Sequence, residues 1–377
     1  MGQGFDTKSV HVSMQREGIP TKVTPIHQSS AFTFKDLQDI ENFYHGERDY
    51  LYSRVGNPNT DELGKAVAQL EEAPDGIATS SGLSAILIGV LAVAKAGDHI
   101  IASEDLYGGT YELLSEELTA FGIEVSFADF TEDLSPFLQD NTVLLYTESV
   151  TNPLLRVEDL TKVKEFADRY NLKVMVDNTF ATPYLIQPYL QGVNLVVHSA
   201  TKYLGGHSDI TAGVLTGDSP LIKAARTKAI NLGTNLSPFE AWLTVRGIKT
   251  LSVRMERHVR NAAALAEALK KHPALDKVYY PEFISERGNG AIVTIELKED
   301  TNVEAFFQSL GWIKIVATLA GVETSASYPM GTSHRNMPEA ALRQLGITKG
   351  IVRISVGLED IADIIEMMTN ALDQSQK

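Results

Sequence analysis

From about residue 98 to residue 198, short apolar runs alternate with amphipathic stretches. Segments 98–102, 123–128, 142–146, 173–177 and 194–198 are brief and rich in β-branched residues, and each reads as a strand. Segments 111–122 and 160–170 between them carry helical spacing. Near-continuous apolar strands separated by helices predict a mostly parallel sheet covered on both faces. A helix is expected over 60–72. Residues 1–60 show little periodicity and contain the turn-like Arg54-Val55-Gly56-Asn57-Pro58, which predicts an extended arm. Beyond the alternating block, Ser237-Pro238-Phe239-Glu240 predicts a helix start: a capping serine, a proline at the first helical position and a glutamate three residues after the cap. A long helix over 250–271 follows, then strand-like segments 291–297, 313–318 and 351–355 and a last helix over 361–372. The expected organisation is an arm (1–60), an α/β domain (61–245) and a smaller C-terminal α+β domain (246–377).

The length of 377 residues fits two domains. A hydrophobic content of 44 % with 21 % charged residues is ordinary for a globular enzyme. The longest apolar stretch, 85–96, meets Lys95 and falls short of the ~20 residues that cross a bilayer. Met1-Gly2-Gln3-Gly4-Phe5-Asp6 has neither the basic start nor the apolar core of a secretory signal, and Asp6 stands where a myristoylation signal needs a small hydroxyl residue. With no cysteine, disulfides, thiolate metal sites and a cysteine nucleophile are excluded, and the cytoplasm is the expected compartment. A net charge of −15 argues against a nucleic-acid partner and reads as a solvated surface. The nine histidines show no ligand spacing, so no metal is expected and each reads as a buried or structural residue.

In open α/β sheets chemistry gathers at the carboxyl ends of strands. Two such ends carry charges: Asp177, after Val174-Met175-Val176, and Lys202, in His198-Ser199-Ala200-Thr201-Lys202. A pyridine aldehyde cofactor needs this pairing. An amine forms the imine, while a carboxylate keeps the ring nitrogen protonated so that the ring accepts electrons. Thr79-Ser80-Ser81-Gly82-Leu83-Ser84 precedes an apolar helix, and a Ser/Gly turn at a helix N-terminus suits a phosphate as well as a simple cap. No phosphate-binding Gly-x-x-x-x-Gly-Lys-Ser/Thr loop occurs, and no Gly-x-Gly-x-x-Gly lies between strand and helix, which disfavours ATP and dinucleotides. Tyr107, beside Gly108-Gly109, could stack on a flat ring.

Several motifs then occur in order. They are Tyr52-Ser53-Arg54-x-Gly-Asn57-Pro58, Ser81-Gly82, Asp105-Leu106-Tyr107-Gly108-Gly109-Thr110, Val176-Asp177-Asn178-Thr179, Ser199-Ala200-Thr201-Lys202-Tyr203-Leu204-Gly205-Gly206-His207 and Arg353-Ile354-Ser355-Val356-Gly357-Leu358-Glu359. Over nearly its whole length the chain resembles the cysteine/methionine-metabolism (trans-sulfuration) family of pyridoxal-phosphate enzymes. That family includes cystathionine γ-synthase, cystathionine lyases, methionine γ-lyase and O-acetylhomoserine sulfhydrylase. The resemblance implies a fold-type-I transferase and the cofactor pyridoxal 5′-phosphate. It implies Lys202 as Schiff-base lysine and proton shuttle, Asp177 at the pyridine nitrogen, and Tyr107 stacked on the ring and helping to protonate the leaving group. Ser81, Gly82, Leu83, Ser199 and Thr201 would hold the phosphate, joined by Tyr52 and Arg54 from a neighbouring subunit of a homotetramer, a dimer of catalytic dimers. Asn152 would contact the ring oxygen or the substrate carboxylate, and Arg353 would clamp that carboxylate. Thr318 would support the clamp.

Relatives acting on cystathionine at its γ-carbon often read Glu-Ser-Leu-Gly-Gly-x-Glu-Ser where this chain has Ala317-Thr318-Leu319-Ala320-Gly321-Val322-Glu323-Thr324. Ala317 removes a carboxylate that could meet a distal ammonium group, which leaves room for methionine, homocysteine or an acylhomoserine. The segment 285–290 is also shorter than in many relatives. Tyr328-Pro329 before Thr332-Ser333-His334 is similar to homoserine-ester-using synthases of Gram-positive bacteria. The leading expectation is γ-replacement on an acylated homoserine. The alternative is a C–S lyase giving a 2-oxo acid, ammonia and a thiol, and a remote one is a non-catalytic cofactor-binding protein.

Overall fold

The structure is a computed structural model that describes residues 3–12 and 21–376; residues 13–20 of the expected arm lie outside the described part. The larger sheet comprises β1 (Asp75–Thr79), β2 (His99–Ser103), β3 (Glu124–Ala128), β4 (Thr142–Glu148), β5 (Lys173–Asp177), β6 (Leu195–Ser199) and β7 (Gly213–Gly217). Their order across the sheet is β1-β7-β6-β5-β4-β2-β3. β2 to β6 are parallel, while β7 runs antiparallel to both of its neighbours.

The alternation that predicts these strands also builds the core. Side chains of a strand point to opposite faces in turn. Ile100, Leu144, Met175 and Leu195 therefore join one buried cluster, under the helix Gly82–Val93, and their neighbours Ile101, Leu145, Val174 and Val196 join another, under the helix Leu160–Arg169. Both faces are apolar, so the inner strands are largely buried, the edge strand β3 being partly exposed, and the parallel sheet stays covered.

The smaller sheet comprises β8 (Leu275–Tyr279), β9 (Ile292–Leu297), β10 (Lys314–Ile315), β11 (Ser325–Ser327) and β12 (Ile351–Ser355), ordered β10-β11-β12-β9-β8 and antiparallel except for the β10–β11 pair. The helix Leu251–Leu269 joins the two parts. Leu251, Met255 and Val259 pack in a cluster shared with the large-sheet side, and Ala262, Leu265 and Leu269 pack on the small sheet.

Several elements differ from expectation. The arm holds two short helices, Phe5–Val10 and Leu37–Tyr44, and the helix expected at 60 starts at Pro58, capped by Asn57. The helical stretch after Tyr107 is interrupted by a π-type turn over Leu113–Glu117. The strand expected over 313–318 shrinks to Lys314–Ile315. Ser237 precedes the helix Pro238–Ile248 but makes no side-chain cap. The Glu240 carboxylate instead accepts the N–H of Thr211 at 3.2 Å, so the reciprocal cap is replaced by a tertiary bond. No helix among the described residues is long and apolar enough to cross a membrane.

Candidate active site

The carboxyl ends of β4, β5 and β6 open on a cleft that the smaller domain closes from the other side. One wall is the start of the helix Gly82–Val93. Ser81 caps it, its Oγ accepting the N–H of Ser84 at 3.1 Å. The N–H groups of Gly82 and Leu83 belong to the first turn and have no intrahelical partner. Ser199 stands directly against this turn: a Cβ on Gly82 would lie 2.8 Å from the Ser199 Cβ. The residue must therefore be glycine for β6 and the helix start to meet. The Thr201 hydroxyl lines the same corner, but it is tied to the backbone of Ala212, accepting its N–H at 3.0 Å and donating to its carbonyl at 3.2 Å.

Asp177 ends β5 at the cleft wall, and its Oδ1 accepts the N–H of Thr179 at 2.9 Å. Burial pushes its pKa up, against hydrogen bonds from Thr179 and the positive field of His198.

Lys202 projects from the turn after β6, and its Nζ donates to Thr318 Oγ1 at 2.7 Å. Burial first, and the Arg353 guanidinium second, lower its pKa to about 8. Arg353, on β12, is buried at 3 % exposure. It donates through Nη1 to Asn152 Oδ1 at 2.9 Å and through Nη2 to the Thr318 carbonyl at 3.1 Å, while its Nε has no partner among the described residues. Among the described residues no carboxylate faces Arg353 within salt-bridge distance, so the guanidinium is poised to receive one from a ligand. Tyr107 is 40 % exposed in the cleft, and its backbone N–H donates to Glu148 Oε1 at 2.7 Å.

The expected residues thus converge, with one exception. Tyr52 and Arg54 are outside the cleft wall of their own chain: Arg54 Nη1 donates to the Ile230 carbonyl at 3.1 Å, and its guanidinium lies 5.6 Å from the Tyr52 ring centre. The fold also brings in groups the sequence did not single out, among them Glu148, Phe180 and Thr211, and it places Ser333, noted only within Thr332-Ser333-His334, on the cleft wall. Glu148 carried a readable signal, a charged residue closing an apolar strand, as Asp177 does. Four of the nine histidines (His99, His198, His258 and His334) are buried, whereas His11, His45 and His207 are exposed.

First-turn amides, a buried carboxylate, an amine whose ammonium form is disfavoured and a guanidinium with no carboxylate partner among the described residues fit pyridoxal phosphate and an amino-acid substrate. The model of the Cys/Met metabolism PLP-dependent enzymes matches residues 6–373. The chain belongs to that family. It is a pyridoxal-phosphate enzyme of the fold-type-I architecture. It is 36 % identical to an L-methionine γ-lyase of Porphyromonas gingivalis over 99 % of this chain and 98 % of the relative. It is 38 % identical to a cystathionine β-lyase of Lactococcus lactis subsp. cremoris, over 98 % of each. A Campylobacter jejuni structure named for O-acetylhomoserine (thiol)-lyase carries a pyridoxyl-lysine-5′-monophosphate residue. It superimposes with a TM-score of 0.95 at 28 % identity, covering 98 % of this chain and all of the other.

Proposed function

We propose that the protein eliminates the γ-substituent of a sulfur amino acid, converting a small thioether or thiol such as methionine or homocysteine to a 2-oxo acid, ammonia and a thiol. The observation that carries this reading is the distribution of charge in the cleft. Lys202, Asp177, Arg353 and Glu148 are its charged lining residues, and the wall beside Lys202 and Arg353 is formed by Ala317 and Leu319. Cofactor and α-carboxylate account for the first three and Glu148 is tied to backbone amides, so this wall offers no charge to a distal ammonium group.

In the proposed roles, Arg353 fixes the substrate carboxylate with its two-pronged guanidinium, oriented by Asn152. The helix start at Ser81, Gly82 and Leu83, with Ser199 and Thr201, holds the phosphate. Copies of Tyr52 and Arg54 from a second subunit complete it, within a homotetramer in the cytoplasm. Asp177 keeps the ring nitrogen protonated. Pyridoxal phosphate, when bound, supplies an electron sink for the charge left at Cα. The Lys202 amine, neutral above about pH 8 and held by Thr318, would remove the Cα proton and, after passing it on to the imine carbon of the cofactor, would be free to take the Cβ proton. Tyr107 covers the ring face and delivers a proton to the departing sulfur.

The sequence reading put γ-replacement first. The methionine γ-lyase and cystathionine β-lyase relatives shift the weight to elimination, while the neighbour named for O-acetylhomoserine (thiol)-lyase supports replacement as a second reading. Methionine, homocysteine, cystathionine and O-acetylhomoserine, each with and without sulfide or cysteine, separate the two. Elimination predicts 2-oxobutanoate from methionine or homocysteine as the fastest product. Faster thioether or homocysteine formation from O-acetylhomoserine would replace this reading by the second.

A further inference from the structure

β4 ends in Glu148, which pairs with Asp177 in the register of the parallel sheet, so two carboxylates leave neighbouring strand ends at one cleft. Glu148 is 5 % exposed. Burial first, and the Asp177 charge second, push its pKa well up, while the N–H groups of Tyr107 and Asn152 stabilise its anion. A second carboxylate beside Asp177 is costly unless it is hydrogen-bonded, and no step of the proposed reaction uses it. Its bonds suggest its role. Oε1 takes the Tyr107 N–H at 2.7 Å, which ties down the turn that presents the Tyr107 ring. The Asn152 N–H favours the same carboxylate from a second turn, and Asn152 holds Arg353 through Oδ1 at 2.9 Å and receives His334 Nε2 on its carbonyl at 3.0 Å. One side chain therefore anchors both turns level with the end of β5.

We propose that Glu148 is a positioning residue: its carboxylate sets the Tyr107 and Asn152 turns at the height of Asp177, which fixes the Tyr107 ring over the cofactor and the Arg353 guanidinium at the substrate carboxylate. This rests on the ring-covering role given above to Tyr107. In the roles proposed above, Glu148 moves no proton and holds no phosphate.

The test uses the full-length holoenzyme with Glu148→Ala, Glu148→Asp and Glu148→Gln. Glutamine keeps a carbonyl acceptor for the Tyr107 N–H, while aspartate withdraws it by one methylene. Visible circular dichroism of the bound cofactor reports the ring's surroundings, fluorescence titration reports cofactor affinity, and kcat, KM and the pH profile report turnover. Alanine and aspartate are expected to flatten the cofactor dichroism and lower kcat about tenfold, the worth of one lost hydrogen bond. KM should rise with them as the Asn152–Arg353 pair loosens. Glutamine is expected to stay within about threefold of the parent, with its pH profile unmoved. Wild-type dichroism and kcat in the alanine protein would overturn the proposal. So would a glutamine protein as impaired as the alanine one, since that outcome assigns Glu148 a charge or proton-transfer role. Should alanine prevent cooperative folding, aspartate decides by the same two readouts. Absence of cofactor dichroism in the parent enzyme would instead overturn the assignment of the cleft itself.

Discussion

The Lys202 amine must be neutral to attack an aldehyde, and the structure says how much of it is. Burial and the Arg353 guanidinium both disfavour the ammonium form, so the pKa falls from 10.5 to about 8. At pH 7, ~10 % of such amines are neutral against ~0.03 % for an ordinary lysine, roughly a 300-fold gain in nucleophile. That advantage is full below pH 8, shrinks as pH rises, and vanishes above the ordinary pKa. Protein freed of cofactor, mixed with pyridoxal phosphate between pH 6 and 10.5, is followed by stopped-flow absorbance. The association rate constant should climb about tenfold per pH unit and level off near pH 8. Arg353→Met removes the smaller of the two causes, so its inflection should move upward. A rate still rising past pH 9.5 with no inflection would refute the argument, because that is how an exposed lysine behaves.

Three other substitutions have defined outcomes. Gly82→Ala forces a Cβ to 2.8 Å from the Ser199 Cβ and should cost ~1–3 kcal/mol of stability; thermal melting and cofactor retention on dialysis should both fall. Thr318→Val removes the hydroxyl that receives Lys202 Nζ and should lower kcat about tenfold, with Thr318→Ser restoring most of it; equal activity in both would deny the hydroxyl any role. Ala320 sits at φ +69°, a left-handed conformation that favours glycine. Ala320→Gly should therefore gain ~0.5–1 kcal/mol in denaturant unfolding, the strain relief exceeding the added chain entropy.

Of the five parallel strands, the inner β2, β4, β5 and β6 were legible because burial on both faces leaves a nearly continuous apolar run, and the edge strand β3 through its alternation. β1, β7 and β8 were not. Asp75-Gly76-Ile77-Ala78-Thr79 and Gly213-Val214-Leu215-Thr216-Gly217 contain glycines where strands usually carry side chains, and β8 places exposed Asp276 and Lys277 beside a register shift. The arm's helices were missed because six to eight residues give too few turns for a period to show. Ser237-Pro238-Phe239-Glu240 misled for another reason: a local motif competes with tertiary partners, and Glu240 found the Thr211 N–H. In the cleft, Lys202, Asp177 and the Ser81 turn could be read from strand ends and a helix start. Phe180 and Thr211 could not, since the cleft gathers them from separate loops. Tyr52 and Arg54 mark the limit of one chain, for the phosphate role expected of them requires a second subunit.

The central claim, that Lys202 carries the cofactor, has a direct chemical test. The purified holoenzyme is reduced with borohydride, digested, and its peptides are mapped by mass spectrometry. The account predicts a phosphopyridoxyl group on the peptide containing Lys202 and a loss of turnover that tracks its yield. A label on another lysine, or an unlabelled Lys202 in reduced and inactivated protein, would contradict it.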